Sequence, residues 1–254
     1  MLDKNLLLGV GISKDSGDKI LELIIRGLEK KQKKHYVVTL NPELLVISSK
    51  DPSYKKVLNN AKIASVDGIG VLAAARLFGV KVGKRLTGVD MVKNLCKEVS
   101  KKPITVGFLG ARPGVAELTA ECLQKKYPGL NVVLAESGNP DDKTVSLINK
   151  KLNKKTINIL FVAFGSPKQE FWIAKNLDKL PVNVAVGVGG AFDFISGKVK
   201  RAPSLFRKLG LEWLFRLLIQ PWRIKRQLSL IVFIFLVLKQ KFLSKIPSYK
   251  NLRH

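Results

Sequence analysis

The loop Gly165-Ser166-Pro167-Lys168-Gln169-Glu170 follows an uninterrupted apolar run, Leu160-Phe161-Val162-Ala163-Phe164. It packs a cation, an amide and a carboxylate into what reads as the first turn of a helix. Pro167 suits the first helical position, where a missing N–H costs nothing, and Ser166 suits the N-cap. A helix N-terminus at the carboxyl end of a buried strand offers free N–H groups to an anion or a polar ligand. The same pattern also serves an ordinary strand-to-helix connection.

Further strand ends carry comparable residues. Val186-Gly187-Val188-Gly189-Gly190 lets a ligand approach the backbone, and Asp193 beyond it can accept hydrogen bonds from a base or a ribose; the glycines can equally make only a tight turn. Phe108-Leu109-Gly110-Ala111-Arg112-Pro113-Gly114 can hold a phosphate or serve plain helix–sheet packing. Asp67, in Ser65-Val66-Asp67-Gly68-Ile69-Gly70, reads either as an N-cap or as a general base for a substrate hydroxyl. Thr39 and Asn41 end another strand. Lys84-Arg85-Leu86-Thr87-Gly88-Val89-Asp90 adds cations before a helix that Thr87 or Asp90 can cap. By the carboxyl-end rule these loops lie on one edge of a sheet.

Several chemistries find no residues. The histidines are His35 and His254, which disfavours a Ser-His-Asp hydrolase or a His-ligated metal. No Gly-x-x-x-x-Gly-Lys-Ser/Thr loop and no Asp-x-Asp pair occurs, and Asp141 and Asp142 are adjacent, so they point in different directions on a helix. Neither a metal nor a cofactor is expected. A bound diphosphate would be met by Arg/Lys and helix N-termini. Cys96 and Cys122 have no metal spacing and read as reduced core thiols.

The elements that position these residues alternate. Strands are expected over 36–40, 63–66, 104–109, 131–135, 157–164 and 182–188. Helices are expected over 42–49, 69–78, 89–99, 113–126, 141–152 and 167–177. Continuous Val/Ile/Ala/Phe strands between helices indicate an α/β fold with a mostly parallel sheet covered on both faces. After about Gly197 strand signals stop, and 203–245 reads as helices broken near Pro221. The chain thus divides into a catalytic domain, 1–200, and a helical appendage, 201–254.

The formal charge is +26. Residues 198–254 hold 14 Lys/Arg against one acid, Glu212, which is half of that excess. Such a balance implies an anionic partner: nucleic acid, phospholipid headgroups or phosphorylated substrates. Within the appendage, Leu228–Leu238 is apolar. As a helix it would rise about 16 Å, too short to span a bilayer comfortably. It reads as a buried core helix or as an interfacial anchor, and its basic flanks Arg223, Lys225, Arg226, Lys239, Lys241 and Lys245 favour an anionic surface. The N-terminus lacks the pattern of a secretory signal.

Together these motifs resemble the WecG/TagA/CpsF glycosyltransferases. The resemblance rests on Thr39-x-Asn41-Pro42, Asp67-Gly68-x-Gly70, Arg85-Leu86-Thr87-Gly88-x-Asp90, Phe108-Leu109-Gly110, Phe164-Gly165-x-Pro167-Lys168-Gln169-Glu170, Gly187-Val188-Gly189-Gly190-x-Phe192-Asp193, Arg201-Ala202-Pro203 and Gly210-Leu211-Glu212-Trp213. These motifs stand in the family's order over about residues 5–230. The resemblance implies a Rossmann-like, inverting, metal-independent enzyme. Such an enzyme moves an N-acetylmannosamine-type sugar from a UDP donor to polyprenyl-diphosphate-linked N-acetylglucosamine, in teichoic acid or other surface polysaccharide synthesis, as a peripheral protein at the cytoplasmic membrane face. Asp67 matches the family's base. Thr39, Asn41, Arg85 and Gln169 match pocket residues, with Gln169 holding the sugar, and Asp193 matches the uridine region. Gly110, Gly165, Lys168 and Gly189 would line the same sugar-nucleotide pocket.

The family's appendage closes the site at the membrane, and its basic residues match Arg216, Arg223 and Arg226. Their spacing shares one helical face if the helix continues through Pro221. A mobile appendage would leave apolar surface through which the core can form a homo-oligomer. Two other readings of the charge, a nucleic-acid-binding module and a catalytically idle membrane scaffold, stand as alternatives. A nucleic-acid module would need aromatics interleaved with the cations, whereas Phe206, Trp213, Phe215 and Trp222 sit among aliphatics, so nucleic acid is not expected as a partner.

Overall fold

A computed structural model describes residues 4–30, 32–153, 155–221 and 224–243. An antiparallel hairpin, β1 (Lys4–Leu7) and β2 (Val10–Ser13), leads into α1 (Gly17–Glu29). The chain then runs β3 (His35–Leu40), α2 (Pro42–Lys50), α3 (Pro52–Asn60), β4 (Ile63–Val66), α4 (Ile69–Leu77) and α5 (Gly88–Val99). It continues β5 (Thr105–Gly110), α6 (Val115–Lys126), β6 (Asn131–Glu136), α7 (Asp142–Leu152), β7 (Ile157–Ala163), α8 (Lys168–Asn176), β8 (Val182–Gly187) and α9 (Ala191–Ile195). Three helices follow: α10 (Ser204–Lys208), α11 (Glu212–Ile219) and α12 (Ile224–Leu243).

The six strands β3 to β8 pair in the order β4-β3-β8-β7-β5-β6, every pair parallel. Side chains of the inner strands alternate between two cores. Leu160 and Val162 face one core while Phe161 and Ala163 face the other, which is why β7 is apolar at successive positions. Helices α2, α3, α7, α8 and α12 cover the first face; α1, α5, α6 and α9 cover the second. The expected α/β class and the covered parallel sheet are both present.

The differences from the sequence reading have local causes. Most element ends move by one or two residues, the ordinary extent of fraying. Helix α6 starts at Val115 because Gly114, at φ +79°, is its N-cap. Helix α8 starts at Lys168 with Pro167 in the N-cap position, so Ser166 does not cap it. The Ser166 hydroxyl donates instead to Glu170 Oε1 at 2.9 Å, because the buried carboxyl is the stronger acceptor. The hairpin, α1 and α3 carry no expectation above, although α1 had a readable signal. Ile20, Leu21, Ile24 and Ile25 recur at helical spacing and are buried, behind a Ser16 cap that accepts from the Lys19 N–H.

The helix break near Pro221 is real and has a consequence. Pro221 has no N–H to continue the ladder, α11 ends at Ile219 and a new helix begins at Ile224. Arg216 and Arg226 therefore stand on separate helices, so the helix continuous through Pro221 that a common face required is not present. Arg223 and the side chain of Arg226 lie outside the described residues.

Helix α12 buries one side of the apolar run and exposes the other. Phe233 and Val237, four apart, are buried against the core near α2, and Lys241 Nζ donates to the Leu77 carbonyl at 2.7 Å. Leu228, Ile231, Phe235, Leu238 and Phe242 recur every three to four residues on the opposite side and are exposed. Among the described residues no helix is long and apolar enough to cross a membrane.

Candidate active site

The carboxyl ends of β3, β4, β7 and β8 open into one cavity of about 630 Å³, roofed by α11 and the start of α12. Thr39, Asn41, Asp67, Arg85, Gly165, Lys168, Gln169, Gly189, Asp193 and Arg216 all line it, and Trp213, Gln227, Ser229 and Leu230 form the roof. Ten of the residues expected from widely separated segments thus line one cavity.

Gly110 is not among the lining residues; Ala111 and Arg112 are. A Cβ on Gly110, at φ +101°, would stand 2.8 Å from the Phe164 ring, so this glycine serves close packing of β5 on β7. Packing is thus the role of Gly110 itself, while Arg112 of the same loop lines the cavity.

Asp67 sits one residue past β4. It does not cap α4, whose N-cap is Gly68. Its Oδ2 accepts from the Gly88 N–H at 3.2 Å, at the start of α5. Burial pushes its carboxyl up to about 6, with Arg85 and the Gly88 N–H pulling the other way and the charges of Glu212 and Asp90 adding to the rise. It is thus a carboxylate at neutral pH that binds a proton more readily than an exposed one, the property of a general base.

Arg85 holds the backbone of that base. Its Nε donates to the Asp67 carbonyl at 2.5 Å, Nη1 to the Arg207 carbonyl at 3.3 Å and Nη2 to Glu212 Oε2 at 2.9 Å. Thr39 Oγ1 donates to the Gly187 carbonyl at 3.1 Å, and Asn41 Oδ1 caps α2 through the Leu44 N–H at 3.2 Å. Thr87 caps α5 by accepting from the Asp90 N–H at 3.1 Å. Although burial alone would raise the Asp90 carboxyl, Arg201 and Thr87 hold it below the usual carboxylate range.

Gln169 is buried and committed to the loops around it. Its Oε1 accepts from the Gly165 N–H at 3.2 Å and from the Gly189 N–H at 3.1 Å, joining the β7 and β8 loops. Its Nε2 donates to Glu170 Oε1 at 2.6 Å, and Glu170 Oε2 accepts from the Tyr54 hydroxyl at 3.0 Å. Burial raises the Glu170 carboxyl against the pull of these donors. The described contacts of Gln169 hold the wall together, and the residue expected to hold the sugar lines the cavity.

At the far side, Arg216 lies 4.6 Å over the Phe194 ring and 3.9 Å from Asp193, which also faces Arg112 at 3.6 Å. A Cβ on Gly190 would stand 2.7 Å from Arg216 Nη2, so the glycine lets the guanidinium lie flat on the β8 loop. Lys168 is exposed at the rim. Arg112, Lys168 and Arg216 thus line the cavity that Asp67 lines, Lys168 and Arg112 following β7 and β5, three and four strands along the sheet from β4, and they could receive a departing anion. Among the described residues there is no cluster of three or more His, Cys, Asp or Glu that could hold a metal.

Arg201, Glu212, Glu170 and Tyr54 were not expected as site residues. The first three lie inside motifs quoted for the resemblance, but their pairings span 11 to 127 positions and have no periodic signature.

The sequence profile of the glycosyl transferase WecG/TagA/CpsF family matches residues 5–246. The chain is 37% identical over 214 residues to an N-acetylglucosaminyldiphosphoundecaprenol N-acetyl-beta-D-mannosaminyltransferase of Bacillus spizizenii, covering 84% of this chain and 82% of that one. It is 35% identical to the Bacillus subtilis protein of that name, covering 82% and 84%, and 32% identical to the Staphylococcus aureus one, covering 81% and 80%.

Proposed function

The chain belongs to the glycosyl transferase WecG/TagA/CpsF family, and from that premise we propose that it moves N-acetylmannosamine, or a related sugar, from a UDP donor onto undecaprenyl-diphosphate-linked N-acetylglucosamine. The acceptor and the sugar follow the names of the relatives. The product feeds teichoic acid or another surface polysaccharide. The reaction is a single inverting displacement without a metal. The observation that carries this reading is Asp67: a carboxyl pushed up to about 6, held through both its backbone and its side chain, in the wall of a cavity also lined by Arg112, Lys168 and Arg216.

In the proposed step Asp67 takes the proton of the acceptor hydroxyl as that oxygen bonds the anomeric carbon. The bond from that carbon to the UDP oxygen breaks, and its electron pair leaves with the diphosphate. Arg216, Arg112 and Lys168 offset the growing charge, as preorganised donors in a water-poor cavity do. Attack from the face opposite the leaving group inverts the anomeric centre.

Residues 201–254 act in this reading as an appendage that roofs the cavity and rests on the cytoplasmic face of the membrane. Support comes from α12, whose inner side packs on the core while its outer apolar side is exposed, the arrangement of a helix lying in an interface plane. The test is an assay of UDP-N-acetylmannosamine against a short-chain lipid-diphosphate-linked N-acetylglucosamine, wild type against Asp67→Asn. The reading expects transfer by wild type, none above background by the variant, and retained UDP-sugar binding by both. An active Asp67→Asn would remove the base.

A further inference from the structure

The carboxylate of Glu212 is shared between two guanidinium groups. Oε2 accepts from Arg85 Nη2 at 2.9 Å and Oε1 from Arg201 Nε at 3.1 Å. All three side chains are largely buried, at 20% exposure or less, so water screens these contacts little. Each guanidinium leads back to Asp67 by a different path. Arg85 binds the Asp67 carbonyl. Arg201 binds Asp90 through Nη1 at 2.8 Å and Nη2 at 3.1 Å, and Thr87 through Nη2 at 3.2 Å. Thr87 and Asp90 form the first turn of α5, and the Gly88 N–H in that turn holds the Asp67 carboxylate. The result is a closed ring, Asp67–Arg85–Glu212–Arg201–Asp90–Gly88–Asp67.

Among these groups Glu212 alone comes from α11, the helix that roofs the cavity. Without it, Arg85 and Arg201 would be two neighbouring cations with no carboxylate between them. We infer that Glu212 is a positioning residue for the transfer step: by joining Arg85 to Arg201 it makes docking of α11 the event that fixes Asp67 for attack. This rests on the reading of Asp67 as the base. Glu212 touches no reacting atom, so its effect falls on turnover more than on donor affinity.

The ring also sets a sign. The charged groups facing Asp67 are Arg85 ahead of α5, Asp90 on α5 and Glu212 on α11, with Arg201 closing the circuit. Glu212 is a like charge and competes with Asp67 for Arg85. Removing its charge lets Asp67 ionise at lower pH.

The test measures kcat, KM and the pH profile of the full chain with UDP-N-acetylmannosamine and the short-chain acceptor. The variants are Glu212→Gln, Glu212→Asp, Arg201→Gln, the Glu212→Gln/Arg201→Gln double and Asp67→Asn. Glu212→Gln should lower kcat about tenfold to a hundredfold, the scale of a misplaced catalytic group, with donor KM changed less than about threefold. Its acid limb should move to lower pH. Glu212→Asp keeps the charge and should recover part of the rate and the wild-type limb. The double variant should be no slower than the slower single, as expected of members of one unit.

Wild-type kcat and pH profile in Glu212→Gln, beside an inactive Asp67→Asn, would overturn the inference. So would a Glu212→Gln whose acid limb does not move together with a Glu212→Asp that is no faster. An active Asp67→Asn would instead overturn the reading of the base.

Discussion

The Gly88 N–H reaches Asp67 Oδ2 at 3.2 Å, so the first turn of α5 holds a carboxyl that stands at the end of β4. A helix N-terminus favours the ionised form, yet burial wins and leaves the carboxyl at about 6. Turnover should therefore rise with pH through about 6 and level off above it. A profile flat between pH 5 and 7.5 would separate Asp67 from the proton transfer.

The same balance costs stability. A carboxyl whose folded value lies above its ordinary one binds its proton more tightly when folded, so the penalty is absent below about pH 4, grows to about 6 and is complete above. The gap is worth on the order of 2–3 kcal/mol. Asp67→Asn, which can still accept from Gly88, should raise the Tm at pH 8 and leave it nearly unchanged at pH 3.5. Calorimetry at the two pH values checks this.

Tyr54 and Glu170 should act on the site through Gln169. Tyr54→Phe removes one donor to the buried carboxyl and should destabilise by roughly 1–3 kcal/mol. Glu170→Ala also removes the acceptor that orients the Gln169 amide, so the Gly165 and Gly189 loops should loosen. Urea unfolding gives the first effect. Faster amide exchange at Gly165 and Gly189 in Glu170→Ala gives the second.

Arg216 should serve the donor as a plane as well as a charge. Arg216→Lys keeps the cation but loses the flat stack on Phe194 and the lie against Gly190. Donor KM should rise about tenfold in Arg216→Lys and further in Arg216→Ala, the loss of one to two charge-assisted contacts. Equal KM values in the two variants would reduce its role to charge alone.

The two sides of α12 should separate by mutation. Phe233→Ala opens the packed side and should cost about 3–4 kcal/mol of local stability. Ile231→Glu with Phe235→Glu changes only exposed positions, so the Tm should hold while flotation with anionic vesicles is lost. Flotation equal to wild type would free the outer side from membrane contact.

The α/β class and most of the elements were legible in the residues because strand and helix periods are local properties. The apolar run at β7 and the Pro and Asn at the start of α2 need no partner to be read. The gathering of Thr39, Asp67, Gln169 and Gly189 was legible too, because parallel strands send their carboxyl ends to one edge.

The tertiary structure decided what each polar group does there. Gln169 binds two loops, Gly110 packs a strand, and Arg216 and Arg226 stand on separate helices. Above all, Glu212 joins Arg85 to Arg201 across 127 and 11 positions of chain. Hydrophobic periodicity follows from each segment's own geometry. The partner of a buried charge is whatever the completed fold brings within about 3 Å, and no local pattern encodes that distance.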